Sequence, residues 1–305
     1  MGTPHAPFPW PNRPCGEAST NVQNRSGHPG DPLRFRTRQV RSQLCRSGRD
    51  TVHDAVNCLS NRYTVNLFAV SETERHSAIG AVLFTGDELV EPGQSLEHGQ
   101  IFDANSWMLT AAAREAGAIA YRVPFVPDDP HRFTQVVEDQ LVRADLVITS
   151  GGVSKGAYDI VKSVLGSLGD VHFDEVAMQP GKPQGYGTIG PDSTPIVSLP
   201  GNPVSSYVSF ENFVRPVIRT MLGASTIHRP AVKARLEKGL SSTSGVRSYV
   251  RGILSEDGKS VVPLGSQDEQ ATLSDANAFI AVPEGEGDVA AGSEVTVVVL
   301  ERRYI

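Results

Sequence analysis

Apolar positions along this chain follow two rhythms, and the change from one to the other divides it. Between residues 79 and 223, short apolar or β-branched runs alternate with longer stretches of helical spacing. Runs 79–85, 118–123, 146–149, 171–178 and 195–199 have the length and composition of strands. The run at 146–149 lacks polar alternation, as suits a strand buried on both faces. Helical patterns over 107–116, 133–142, from Tyr158 onward and over 204–222 separate these runs. Asn105 or Ser106 is placed to cap the first helix and Gly117 to close it. Such alternation predicts an α/β unit, a mostly parallel sheet flanked by helices. After Gly223 the helical spacing stops. Runs 231–236, 248–254, 260–264, 278–282 and 294–300 are short and β-rich, with Asp257-Gly258 as a hairpin turn. They predict a small all-β, barrel-like domain.

Residues 1–78 obey neither rhythm. Pro4, Pro7, Pro9, Pro11, Pro14, Pro29 and Pro32 interrupt a stretch filled with Arg, Ser, Asn and Gly. It holds too little apolar material to offset the entropy of ordering it. The expected organisation is therefore an atypical, disordered segment over 1–78, an α/β domain over 79–223 and a barrel over 224–305. Residues 63–70 are a candidate strand or ordered linker within the first of these.

Charge sharpens the division. The chain of 305 residues carries −6 overall, yet residues 1–80 hold ten Arg, no Lys and six Asp or Glu. That is about +4 at the start and about −10 over the rest, so bulk electrostatics does not suggest a nucleic-acid partner. Cys15, Cys45 and Cys58 all lie in the first part, with spacing that fits neither a zinc site nor a redox pair. No run reaches the length of a membrane span and no signal peptide is evident, so the cytoplasm is the expected location.

Polar clusters collect where predicted strands end. Gly86-Asp87-Glu88 follows the first strand and Asp128-Asp129 the second. Ser150-Gly151-Gly152, with Ser154 and Asp159 beyond, follows the third; Lys182 and Gly201-Asn202 follow the last two. Ligands of open parallel sheets bind beyond the strands' carboxyl ends. Glycines there let a backbone approach a ligand, and a helix N-terminus offers unpaired N–H groups to an anion. Asp159 is a carboxylate that could hold a metal or polarise a substrate.

Five motifs, in order and spacing, resemble one family. They are Thr85-Gly86-Asp87-Glu88-Leu89, Gly99-Gln100-Ile101-Phe102-Asp103-Ala104-Asn105, Ser150-Gly151-Gly152-Val153-Ser154, Pro180-Gly181-Lys182-Pro183 and Leu199-Pro200-Gly201-Asn202-Pro203-Val204. Together they look like the molybdopterin molybdenumtransferases, the MoeA/gephyrin-E family, over about residues 79–300. The resemblance implies the molybdenum-cofactor-biosynthesis α/β fold followed by the family's β-barrel. It also implies a reaction in which adenylylated molybdopterin is hydrolysed, AMP leaves and molybdate is inserted at the dithiolene. Glu88, Asp159 and Lys182 would then be catalytic, with Lys182 a point charge for phosphate or molybdate. Thr85, Gly86, Asp87, Asp103, Asn105, Ser150, Gly151, Gly152, Ser154, Gly181, Lys182, Pro200, Gly201 and Asn202 would line the ligand. Asp103 and Asn105 read equally well as helix caps. Glu88, Asp129 and Asp159 offer hard oxygen ligands for Mg²⁺.

Partners implied are molybdopterin, its adenylate and the adenylyltransferase that makes it. The family's further N-terminal domains find no counterpart in residues 1–78, from which a monomer or weak homodimer is expected. Gln179 stands where some members carry a second Lys, and Gln267-Asp268-Glu269-Gln270 where they carry a Ser/His-rich turn. Three rivals remain: a catalytically impaired molybdopterin-binding protein, a molybdopterin adenylyltransferase, and a relative of the nicotinamide amidases.

Overall fold

Strand β1 (Ile79–Phe84) shows how the chain builds its first layer, because its alternate side chains enter different cores. Val82 joins Leu109, Ala113, Ile148 and Phe210 on one face of a sheet, while Ala81 and Leu83 join Phe133, Val137, Val147 and Leu165 on the other. Each large side chain fully buried this way stabilises the fold by about 1.5–3 kcal/mol. This computed structural model describes residues 78–84, 86, 88–123, 129–153, 160–265 and 273–300. The segment 1–77, with its expected disorder and its candidate strand at 63–70, and the turn at 267–270 lie outside the described residues.

The first sheet runs β4-β1-β5-β9-β8-β6. Its parallel members are β4 (Ile119–Arg122), β1, β5 (Leu146–Ser150) and β9 (Thr194–Leu199). Helix α1 (Asn105–Ala116) carries the chain from β1 out to β4, and α2 (Pro130–Leu141) carries it back to β5 on the other side of β1. Strand order thus reverses between β1 and β5, which opens a crevice beyond Ser150. Helix α3 (Ile160–Leu168) precedes β6 (Gly169–Glu175). A two-residue parallel pair, β2 (Leu89–Val90) with β3 (Ile101–Phe102), lies between β1 and α1.

The strand expected over 171–178 is two strands. Residues 169–175 form β6, antiparallel to β8 (Pro183–Ile189), while β7 (Met178–Gln179) leaves for the second sheet. Strand β8 was not expected, since Gln184-Gly185-Tyr186-Gly187 reads as loop. Its glycines answer to packing: a Cβ at Gly185 would fall 2.6 Å from the Phe173 ring. The helix expected over 204–222 is a continuous rod of three parts, α4 (Pro203–Ser209), a π-helical turn (Phe210–Val214) and α5 (Arg215–Met221).

The second sheet closes on itself as a five-stranded barrel. The ring is β12 (Ser260–Pro263), β10 (Ala231–Leu236), β14 (Glu294–Val299), β13 (Ala278–Val282) and β11 (Arg247–Leu254), which pairs again with β12. Closure leaves no free edge within the ring. Its interior is Ala234, Leu236, Leu254, Val261, Ile280, Val295 and Val297. The expected turn at Asp257-Gly258 joins β11 to β12.

A fourth apolar cluster joins the barrel to the α/β layers: Met178, Val204, Val208, Tyr249, Phe279 and Leu300. Tyr207 meets Phe279 edge-on at 6.0 Å. Burial, and after it the Glu211 carboxylate, holds the Tyr207 phenol well above its ordinary value, and burial raises Tyr249 against the lowering effect of Arg247. Both folded values exceed the unfolded value of about 10, so the folded state keeps protons that the unfolded state releases. Stability from this seam is fully present below pH ~10 and falls as pH rises beyond it. Urea midpoints measured from pH 8 to 11.5 should be flat at first and then decline. In Tyr207→Phe the decline should be shallower.

Candidate active site

Described residues of all five motifs lie at the carboxyl edge of the first sheet, and hydrogen bonds join those of four of them. Gly86 O accepts from Leu89 N at 2.9 Å, closing the turn that brings Glu88 to the surface. A Cβ on Gly86 would lie 2.7 Å from a Glu88 carboxylate oxygen, so glycine here leaves the carboxylate room to fold back over its own turn. The pairing of β2 with β3 then ties this motif to the second one, with Glu88 O accepting from Ile101 N and Val90 O from Asp103 N.

Asn105 carries the connection inward. Its Nδ2 donates to Ser150 Oγ at 2.9 Å and to Gly201 O at 2.6 Å. One side chain at the start of α1 thus gathers the ends of β5 and β9. Gly151 and Gly201 stand close enough that a Cβ on Gly201 would touch Gly151 Cα at 3.6 Å. Ser150 Oγ is also 3.4 Å from Pro200 O. Asn105→Ala should cost roughly 1 kcal/mol of stability, the worth of such bonds, and speed hydrogen exchange near Gly201. Urea unfolding and exchange mass spectrometry test both.

The fourth motif leans on α4. Gly181 has φ +99°, and a Cβ there would fall 2.7 Å from Ser209 Oγ, so only glycine fits without displacement. Val176 N donates to Lys182 O at 2.7 Å. The Lys182 side chain is exposed, and no carboxylate among the described residues pairs with its ammonium.

Three residues expected at the site have local duties. Asp103 is 1 % exposed; its Oδ1 accepts from Ser106 N at 3.0 Å. Neither Asn105 nor Ser106 caps α1: the boundary residue is Ala104, and Asp103 before it takes the Ser106 N–H. Asn202 Oδ1 accepts from Ser205 N at 3.0 Å and starts α4. Asp129 Oδ1 accepts from Arg132 N at 2.8 Å and starts α2, with Pro130 at its first position. Thr85, Asp87, Ser154 and Asp159 lie outside the described residues.

Residues that the sequence did not single out hold this frame. Arg122, at the end of β4, bonds to Ser106 Oγ at 2.8 Å, pairs with Glu91 and Asp103, and lies over the Trp107 ring at 4.0 Å. Its position at a strand's carboxyl end was the available signal.

Among the described residues no group of three or more His, Cys, Asp or Glu is arranged to hold a metal by itself. Mg²⁺ usually takes one or two carboxylates and completes its shell with water and substrate phosphates. Glu88, an exposed carboxylate over a glycine cradle, fits that requirement. Asp129 fits less well, since one of its oxygens is engaged at the helix start.

Residues 81–220 match the family described as a probable molybdopterin binding domain, and residues 233–300 match the MoeA C-terminal region, domain IV. The chain belongs to the molybdopterin molybdenumtransferase (MoeA) family. Molybdopterin molybdenumtransferase 2 of Mycobacterium tuberculosis is 44% identical over 224 residues, covering 71% of this chain and 55% of the relative. Molybdopterin molybdenumtransferase 1 of the same organism is 40% identical over 229 residues, covering 72% and 54%. The molybdopterin biosynthesis MoeA protein from Pyrococcus horikosii superposes with a TM-score of 0.65 at 30% identity, covering 74% of this chain and 55% of that one. The chain therefore spans about half the length of the curated MoeA relatives it matches.

Proposed function

We propose that this chain acts in molybdenum cofactor biosynthesis, inserting molybdate into adenylylated molybdopterin with release of AMP in a Mg²⁺-dependent reaction. The observation that supports it best is the convergence of all five family motifs on one sheet edge, with Asn105 bonded to both Ser150 and Gly201. The ligand would lie across the crevice between β1 and β5. The backbone N–H of Gly152 would receive its phosphates, since that of Gly151 is already bonded to Leu199 O. The Lys182 ammonium would stand against the anion, phosphate or molybdate. Hydrolysis breaks one P–O bond of the phosphoanhydride: water's oxygen joins one phosphorus, and AMP leaves with the bridging electron pair. Glu88, with Asp159 as a second candidate, would hold Mg²⁺, which supplies charge neutralisation on the phosphates. The proposed setting is the cytoplasm, with the adenylate supplied by an adenylyltransferase and the chain a monomer or weak homodimer. Among the described residues no helix is long and apolar enough to cross a membrane.

The test is AMP release from adenylylated molybdopterin by the purified full chain, with Mg²⁺ and molybdate present or omitted. Release that requires both supports the transferase. Tight binding of the adenylate without release points instead to a molybdopterin-binding protein that does not turn over.

A further inference from the structure

Gln184 takes no part in any motif of the family resemblance, yet it is 3 % exposed and reaches the loop that carries Lys182. Its Nε2 donates to Gly181 O and to Ser209 Oγ, each at 2.6 Å. The two acceptors orient the amide, so that both its N–H donors are used while Oε1 has no partner among the described residues. Gly181 O belongs to the peptide unit that enters Lys182. The peptide unit that leaves it is held through Lys182 O by Val176 N at 2.7 Å. Peptide units are planar, so fixing the planes on both sides of one Cα fixes that residue's φ and ψ. Pro183 constrains ψ of Lys182 as well. The backbone of Lys182 is therefore held by one buried side chain and by the N–H of Val176, just past the end of β6, and the direction of Cα–Cβ follows. Ser209 lies at the end of α4, so the same amide ties the lysine to the helix that begins at Asn202-Pro203.

We infer that Gln184 is a positioning residue, which fixes the Lys182 backbone and couples it to α4 so that the ammonium meets the ligand's anion. The assignment rests on the anion-binding role proposed for Lys182. A residue acting only through Lys182 has a property that a purely structural one lacks: its removal does nothing further once the ammonium is gone.

The full chain is compared with Gln184→Met, Lys182→Ala and the double variant, with AMP as the probe and affinity read by calorimetry. Methionine keeps the volume and loses both donors. Gln184→Met should weaken AMP roughly threefold to tenfold, the worth of a lost neutral hydrogen bond. The double variant should match Lys182→Ala to within about twofold. Two independent losses that multiply, or unchanged affinity in Gln184→Met, would overturn the inference.

Hydrogen exchange at Val176, whose N–H donates to Lys182 O, gives a readout in the ligand-free chain that owes nothing to the reaction. Gln184→Met should speed it about tenfold or more while the α1 amides stay unchanged. No acceleration overturns the inference whether or not the wild-type chain releases AMP. Acceleration in a chain that neither binds nor releases AMP would support the fixing of the loop and sink the transferase reading instead.

Discussion

Lys182→Ala is expected to slow AMP release roughly a hundredfold or more, the usual cost of removing a fixed donor from developing negative charge. The fold should not notice. Lys182 is exposed, and such surface substitutions usually change stability by less than about 0.5 kcal/mol. The size of the effect follows from the setting of the charge. Its backbone is held on both sides, and no carboxylate among the described residues competes for the ammonium. The loss should fall on kcat more than on KM if the charge acts mainly in the transition state. Lys182→Arg should recover only part, because a planar fork replaces a compact point charge. Because the group is exposed, the ratio of wild-type to variant rate should also shrink in high salt. Full activity in Lys182→Ala under saturating substrate would remove the lysine from the chemistry.

The α/β order and the barrel were readable because each depends on local pattern. Runs such as Leu146-Val147-Ile148 are apolar at every position since helices cover both faces of β5. The motif loops were readable because glycine, proline and asparagine mark strand ends. What escaped notice depends on distant partners. Strand β8 is polar and glycine-rich along its own length and is chosen by β6 and β9 packing against it. Met178-Gln179 looks like the end of a strand in the first sheet, and only β11 assigns it to the barrel. Asp103 and Asn105 are two residues apart in one motif, yet one is buried and takes a first-turn N–H while the other is a bridge. Motif matching cannot tell such neighbours apart. Arg122 sits at a strand's carboxyl end, but only the fold places Asp103 and Ser106 beside it.

Arg229→Met should destabilise the chain by roughly 3–5 kcal/mol, since it takes from the buried Glu211 carboxylate its hydrogen-bonded counter-charge. Arg229 makes bidentate pairs with Glu211 at 2.8 and 2.9 Å and with Glu115 at 2.8 and 2.9 Å. It also donates to Leu300 O at 2.8 Å. Burial alone would lower its guanidinium; the bonds from Glu211 and Glu115 outweigh that and hold it above its ordinary value. This contribution is complete below arginine's ordinary range and is lost only as pH rises past the raised folded value, far above any working buffer. Arg215, beside the same acids, is lowered by burial and cannot take over both pairs. Arg229→Lys should recover little, for an ammonium cannot form two parallel pairs. Adding Glu211→Gln to Arg229→Met should restore part of the loss by removing the stranded charge. Urea unfolding followed by circular dichroism reads all three, and a loss below about 1 kcal/mol in Arg229→Met would mean the carboxylates find water or another cation.

The departure of Met178-Gln179 into the second sheet gives the lysine loop two mountings of different kinds. Its upstream end hangs from the barrel through β11, with Arg247 N bonded to Ala177 O at 2.9 Å, and its downstream end continues into β8 of the first sheet. The loop works like a cable strung between two towers, whose tension depends on how far apart they stand. A substitution inside the barrel, remote from every motif, can therefore retune the reach of Lys182 by tilting one tower. A chain cut before β10 would lose one end of the cable.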